Sequence, residues 1–151
     1  MKNIVIITVL FFVTACGYTS VYKNKTTNLQ INILEMRGDN EFNNFIKNEI
    51  NLYSNNNSKN KYEISILSKY IKNIITKDTS GVATDFKVSV NAKISIINDE
   101  ETKEFEFNEK INIKNNLDSF EQNSYERNIK KNFASSIREK LITKILSTND
   151  N

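Results

Sequence analysis

The chain has 151 residues with 21 basic and 18 acidic side chains, so it has room for one domain and carries a formal net charge of only +3. It contains no His, Trp or Pro and only three Gly, which excludes imidazole bases, Ser–His or Cys–His nucleophile pairs, ordinary zinc sites and phosphate-cradling glycine loops. Lysine outnumbers arginine, 18 to 3; the excess indicates either a surface for an anionic partner or a compositional bias of the genome, and without a dense basic run it does not indicate nucleic-acid binding.

Residues 1–15 have the pattern of a lipoprotein signal peptide. Lys2 is followed by an apolar run from Ile4 to Val13, which as a helix would rise about 15 Å, half of the roughly 30 Å hydrocarbon core of a bilayer. That length fits the apolar region of a secretory signal rather than a membrane span. The run ends in Val-Thr-Ala before Cys16, which is similar to the lipobox of bacterial lipoproteins.

We therefore predict Cys16 as the lipid attachment site, carrying a diacylglycerol on its sulfur and an acyl chain on its new amino group. Each buried methylene contributes about 0.8 kcal/mol, so two or three chains anchor a protein durably. No intrachain disulfide is then possible, because Cys16 is the only cysteine. The alternative is a signal peptide cut elsewhere, which would leave Cys16 as a free thiol.

The mature chain is predicted to begin with a lipidated N-terminus and polar tether over residues 16–28. In bacterial lipoproteins an Asp directly after the lipidated Cys resembles an inner-membrane retention signal, and this chain has Gly17 there. The absence of that Asp points to the periplasmic side of the outer membrane, with the lipid anchor as the contact with the bilayer. No cofactor or metal is predicted apart from the covalent lipid.

A single domain is predicted over residues 29–147, and it begins with a strand and a helix. Residues 29–35 alternate apolar and polar side chains, as a half-buried strand does. Gly38 ends this strand, and Asp39 is placed to cap the helix that follows. Apolar residues then recur at steps of three and four, at Phe42, Phe45, Ile46, Ile50 and Tyr53.

Residues 61–77 are ambiguous, because their apolar positions fit both a strand and a helix. The many β-branched residues favour a strand, and we expect a change of phase near Leu67–Tyr70, as a β-bulge would produce. The pattern alone leaves the choice between strand and helix open over residues 64–76.

Residues 82–96 alternate without interruption and predict a long strand, with Val82 and every second residue after it on one face. Residues 104–113 alternate again, with Glu109 interrupting the apolar series, so a bend or an exposed stretch is expected there. Phe120–Ser147 predicts a closing helix capped by Asp118 or Ser119. Its apolar stripe is Tyr125, Ile129, Phe133, Ile137, Leu141 and Ile145, widened by Ala134, Ile142 and Leu146.

These elements predict an α+β fold of order β-α-β-β-β-α. The first two strands joined by a helix form a parallel pair, and two hairpins extend the sheet antiparallel. Since each helix has one apolar stripe, both helices are expected on one face of a four-stranded mixed sheet. The result is a two-layer sandwich whose other face is polar. The closing helix could also lie on a membrane, but its stripe equally suits a sheet, which we favour.

Three parts of the chain resemble the lipopolysaccharide-assembly lipoprotein family LptE. Cys16–Tyr22 resembles the start of the mature family members, although Ser20 stands where the family commonly has Pro. The segment Gly81–Phe86, leading into the long strand, resembles the middle of the family. The closing helix resembles its end, through the spacing of Tyr125, Ala134 and Leu141.

The resemblance implies a non-enzymatic protein that sits partly inside the outer-membrane β-barrel LptD, helps it assemble and assists delivery of lipopolysaccharide. Lys87 and Lys93, on the polar side of the long strand, could meet lipopolysaccharide phosphates, or they could be ordinary solvated lysines. The alternative function is another periplasm-facing scaffold or binding lipoprotein of the envelope.

An enzyme using paired carboxylates is the third hypothesis, since acidic residues cluster at two places. Such catalysis needs one carboxyl group with a raised pKa in a shielded site. Both clusters are explained more simply as solubilising charge. Their members are Asp99, Glu100 and Glu101, and Glu104, Glu106 and Glu109.

Overall fold

The computed structural model describes residues 29–98 and 101–149 and has the predicted α+β order. The signal peptide, Cys16 and the tether lie outside the described residues and stay predictions. The elements are β1 (Leu29–Gly38), α1 (Asn40–Asn51), β2 (Asn60–Lys77), β3 (Ala83–Asn98), β4 (Glu101–Lys114) and α2 (Ser119–Asn149).

The four strands form one sheet in the order β1-β2-β3-β4, with β1 parallel to β2 and the other pairs antiparallel. The mixed sheet was predicted, and it follows from a helical crossover between β1 and β2 and short connections afterwards. We call the end of the sheet that holds the β2–β3 turn (78–82) the distal end. The proximal end is where β1 begins.

The core lies between the sheet and the two helices. Alternate residues of every strand point into it, which leaves the opposite surface of the sheet, here called the outer face, in contact with solvent. The largest side chains that are almost completely buried are Phe42, Leu29, Ile46, Ile50, Ile64, Ile94, Ile137, Leu141, Ile145, Val88 and Val90.

Both helices begin at an aspartate cap. The Phe42 amide donates to Asp39 Oδ1 at 2.7 Å, and the Phe120 amide donates to Asp118 Oδ1 at 2.8 Å; each bond satisfies a main-chain donor that has no partner inside the helix. The apolar stripe of α2 is narrower than its spacing predicted. Tyr125 and Leu146 lie at its edges and are about half exposed, at 48% and 46%.

Strand β2 settles the ambiguity of residues 61–77 in favour of a strand, but the expected change of phase near Leu67–Tyr70 is wrong. Its pairing with β3 runs without a shift from Glu63 to Ile74, and the irregularity lies further on, between Ile74 and Lys77. Leu67 broke the predicted pattern because it is an apolar residue on the outer face, where it is 53% exposed.

The bounds of β3 and β4 also differ from the sequence prediction. Val82 precedes β3 and is 49% exposed. Of the two alternatives expected at Glu109, the bend does not occur, since β4 pairs with β3 in one register throughout. The exposed stretch is found, and Ile111 within it is 40% exposed. Glu109 lies on the helix side of the sheet, where it accepts from Ser136 Oγ at 2.7 Å and from Lys140 Nζ at 2.5 Å. These two partners on α2 explain a charged residue at a core-facing position.

Candidate interaction surface

The outer face of the sheet is a polar surface to which all four strands contribute. Because strand residues alternate between faces, the register determines which side chains stand together there. In the distal half, Asn73, Lys87 and Asn112 form one row across three strands. In the proximal half, Leu67, Lys93 and Glu106 form another.

Charge is divided unevenly between these halves. Four lysines stand on the distal half of the outer face and are called here the basic patch: Lys69, Lys87, Lys110 and Lys114. Within the described ranges none of them has an acidic partner within ion-pair distance, and the one acidic residue among them is Asp85. The proximal half instead carries both signs: Arg37, Lys61 and Lys93 with Glu35, Glu63, Glu104 and Glu106.

The two lysines singled out from the sequence fall on different sides of this division. Both lie on the outer face, as predicted. Lys93 Nζ is 2.8 Å from Glu104 Oε2, and this hydrogen bond raises the pKa of Lys93 and lowers the pKa of Glu104. Lys87 belongs to the basic patch. Only Lys87 therefore offers a charge that no described carboxylate already neutralises.

Asp85 stays ionised at the distal end of the patch. Hydrogen bonds from the hydroxyl groups of Thr76 and Thr84 hold its pKa below the ordinary value, and Lys114 adds an attractive charge. The carboxylate is therefore hydrogen-bonded within its own hairpin, and its single negative charge offsets only part of the positive charge of the four lysines.

On the opposite side of the sheet, a polar cluster joins distal β2 to the first half of α2. Glu126 accepts from Tyr70 Oη at 3.3 Å and from Gln122 Nε2 at 2.7 Å. It also accepts from Lys72 Nζ. Lys130 Nζ completes the cluster, 4.2 Å from the centre of the Tyr70 ring. We call these five residues the α2–β2 brace.

The brace keeps Tyr70 protonated and Glu126 ionised. Burial raises the pKa of Tyr70 far above its ordinary value, and the charge of Glu126 raises it further. Burial also acts to raise the pKa of Glu126, but hydrogen bonds from Gln122 and Lys72 outweigh it, so that pKa is lowered. Glu126 is thus a fixed anion near neutral pH, which is the opposite of what a general acid requires.

Since the folded-state pKa of Glu126 is lowered, its contribution to stability is present above the ordinary glutamate pKa of about 4.3 and is lost as the pH falls through the folded value. We expect Glu126→Gln to lower the free energy of unfolding by about 1–2 kcal/mol at pH 7 and to reduce the loss of stability below pH 4. Urea unfolding followed by circular dichroism across pH 2.5–7 measures both.

Glu35→Gln is the matched control, because the Glu35–Arg37 pair is solvent-exposed, with side chains 50% and 71% accessible. Exposed pairs contribute about 0–1 kcal/mol. An unchanged acid limb in Glu126→Gln, or equal losses in both variants, would contradict the structural role of the brace.

The members of the acidic clusters that the structure describes do not assemble into a shielded site. Asp99 and Glu100 lie outside the described residues. Glu104 and Glu106 stand on the outer face, whereas Glu109 points to the helices. In residues 29–98 and 101–149, no group of three or more His, Cys, Asp or Glu side chains is placed to hold a metal ion.

Sequence reasoning missed the α2–β2 brace. The signal it offered was Lys72 at a core-facing position of β2, in the same alternating series as Ile64 and Ile66. A lysine at such a position implies an acidic residue on the element that packs against this face of the sheet, but the sequence does not identify that residue as Glu126.

Over the same described ranges, no helix combines the length and apolarity needed to cross a bilayer.

No protein-family model and no curated protein matches the sequence, but several solved structures share the fold. Rare lipoprotein B from Shewanella oneidensis matches with a TM-score of 0.58 and 8% identity, over 82% of this chain and 96% of that one. A putative lipoprotein from Caulobacter crescentus matches with a TM-score of 0.58 and 10% identity, over 80% and 90%.

A third structure, an uncharacterized lipoprotein B from Nitrosomonas europaea, matches with a TM-score of 0.52 and 9% identity, over 84% of this chain and 90% of that one. Each match spans nearly the whole neighbour. At such low identity the likeness concerns the fold alone, and the chain has the fold seen in these bacterial lipoproteins.

Proposed function

We propose that this chain is an outer-membrane lipoprotein, anchored through Cys16 on the periplasmic side, that partners an LptD-type β-barrel and assists lipopolysaccharide assembly. The observation that carries the proposal is the fold shared with rare lipoprotein B over 82% of the chain, because rare lipoprotein B and LptE belong to one family. The lipobox-like sequence before Cys16 supports it independently.

The polar outer face is consistent with this role. The lumen of a membrane β-barrel is water-filled and lined by polar side chains, so a domain inserted there needs a polar surface rather than an apolar one. The outer face is mostly polar, and its apolar members include Leu67 and the half-buried Ile71 and Ile97. No catalytic step is part of the proposal, and the protein acts by binding and positioning.

The basic patch is the surface best suited to phosphate groups of lipopolysaccharide. Lysine ammonium groups attract phosphate as point charges, and four of them gather on the distal half of the outer face. Lys87 keeps the role suggested from the sequence. Lys93 is the weaker candidate, because Glu104 already holds its charge.

Co-purification from outer membranes tests the proposal. The full chain with a C-terminal tag, extracted in mild detergent, is expected to recover a large β-barrel protein, and to incorporate a clickable palmitate analogue. In Cys16→Ala both the label and the outer-membrane location are expected to fall to background.

Two outcomes would count against the proposal. An acylated chain in the outer membrane that recovers no barrel would overturn the partnership while leaving the anchor intact. An unlabelled wild-type chain would overturn the anchor. Recovery of peptidoglycan machinery or an inner-membrane complex would instead favour a periplasm-facing scaffold.

A further inference from the structure

Strand β2 is much longer than the strand that pairs with it on one side. Its parallel pairing with β1 ends at Gly38 and Ser68, whereas its pairing with β3 continues to Lys77. Across the described ranges no strand pairs with residues 69–77 on the β1 side. Half of an interior strand is therefore a sheet edge, about 30 Å long at about 3.3 Å per residue.

The chain itself does not fill this gap. At Gly38 the backbone adopts a positive φ of 104° and leaves the sheet, and Asp39 at once caps α1. Because β1 and β2 are parallel, α1 must carry the chain back to the proximal end before β2 begins. The chain after β1 therefore runs away from residues 69–77, and the edge of β2 beyond Gly38 stays unpaired.

The open edge is suited to pairing with another strand. Its sequence, Lys-Tyr-Ile-Lys-Asn-Ile-Ile-Thr-Lys, is rich in residues that favour β structure, and its register with β3 is regular from Lys69 to Ile74. Ile74 and Ile75 are 52% and 47% exposed. An added strand would bury this apolar surface and satisfy main-chain groups that now face solvent.

The positive charge along residues 69–77 favours an added strand with acidic side chains. Lys69 and Lys77 have no ion-pair partner among the described residues, and Lys87 stands one strand further in. The acids near the edge are already engaged. Glu126 pairs with Lys72, and Asp85 accepts from two threonines. Asp39 and Glu41 pair with Lys130, and Asp78 accepts from main-chain amides of its own turn. Two copies of this edge would bring lysines together, so self-pairing is disfavoured, whereas acidic side chains opposite them would stabilise a pair.

We propose that residues 69–77 of β2 are a docking edge for an extended segment of a partner protein in which acidic side chains alternate with β-branched apolar ones. The segment adds a strand in line with β1, as in other cases of β-strand addition. The inference does not depend on the proposed function. The competing explanation is that the edge lysines only prevent aggregation, in which case no segment binds.

A peptide probe tests the docking edge in the full-length protein. The probe is a fluorescein-labelled nine-residue peptide in which glutamate and valine alternate, and the measurements are fluorescence anisotropy and hydrogen exchange. We expect saturable binding and slower exchange of main-chain amides within residues 69–74. A peptide of the same composition with its glutamates grouped at one end is expected to bind at least about tenfold more weakly.

Charge reversal distinguishes the edge from the rest of the outer face. The double variant Lys69→Glu with Lys77→Glu is expected to weaken binding of the alternating peptide about tenfold. The matched control, Lys110→Glu with Lys114→Glu, makes the same change on β4 at the far side of the sheet, and is expected to bind nearly as the wild type does.

Three results would overturn the proposal. No binding means that the lysines only protect the edge. Equal binding of the two peptides means that the attraction is ionic and not strand pairing. Protection on β4 instead of β2, or equal loss in the two double variants, places the contact elsewhere. None of these results bears on barrel partnership, which co-purification tests separately.

Discussion

Gly38→Ala is expected to lower the free energy of unfolding by about 3 kcal/mol or more. Gly38 has a φ of 104°, where residues with a side chain are strained. A Cβ built there would lie 1.8 Å from the main-chain oxygen of Ser68 and 2.8 Å from its carbonyl carbon. Both atoms belong to the partner strand, so no side-chain rotation can relieve the contact and β1 must shift from β2.

Gly81→Ala separates backbone strain from this collision. Gly81 also has a positive φ, of 83°, but a Cβ there would meet no atom within 4 Å. Its cost is therefore the strain alone, about 1 kcal/mol. Urea unfolding of both variants measures the difference, and hydrogen exchange in β1 locates it. Equal losses in the two variants, or a wild-type midpoint for Gly38→Ala, would show that the close approach to Ser68 is absent.

The sequence predicted the elements well because their periodicities are local. Residues 40–51 repeat their apolar positions at steps of three and four, and Asp39 precedes them, which is sufficient to indicate a capped helix. Strand β3 alternates from Phe86 to Ile96, and those alternate residues are mostly buried. The strand order then follows from the element order, since short connections favour hairpins and a helix between strands favours a parallel pair.

The prediction was wrong where a residue's hydrophobicity and its face disagree. Leu67 and Ile71 lie on the outer face of β2, each directly after a core-facing residue, Ile66 and Tyr70 respectively. A pattern that assigns apolar residues to the core must then infer a change of phase. The opposite case is Glu109, a charged residue on the core-facing side, for which the pattern left a bend or an exposed stretch as alternatives. Its partners are Ser136 and Lys140, 27 and 31 residues further on.

The sequence predicted the candidate surface only in part, because the surface also depends on strand pairing. That Lys87 and Lys93 share one face follows from their even spacing in β3. The register between β3 and β4 determines that Lys93 pairs with Glu104 and that Lys87 has no described partner. The unpaired edge of β2 depends on where β1 ends. These are long-range facts, set by pairing and turn geometry, that local periodicity does not contain.

Arg138 connects the two helices at their most buried polar contact. Its side chain is only 7% exposed, and its Nη2 lies 3.2 Å from Glu49 Oε2 on α1 and 2.7 Å from Ser135 Oγ. The guanidinium stacks on Tyr53, 4.2 Å from the ring centre. Arg138 Nε has no hydrogen-bond partner, and the positive charge is held by Glu49, by Glu139 Oε1 at 3.7 Å and by the ring.

We expect Arg138→Ala to lower the free energy of unfolding by about 2–4 kcal/mol. The truncation leaves Glu49 without its cation and opens a space between the helices. Arg138→Met is expected to cost only about 1–2 kcal/mol, because methionine refills the volume although Glu49, which is 25% exposed, still loses its cation. Thermal and urea unfolding of both variants measure these changes.

Arg127→Ala is the matched control, since Arg127 also lies on α2 beside a glutamate of α1, but is 64% exposed and 4.0 Å from Glu41. It is expected to cost less than about 0.5 kcal/mol. A cycle with Glu49→Gln should give a coupling to Arg138 of about 1–2 kcal/mol. If Arg138→Met loses as much stability as Arg138→Ala, charge pairing rather than packing joins the helices. If Arg127→Ala loses as much stability as Arg138→Ala, burial of the guanidinium is not what makes this contact important.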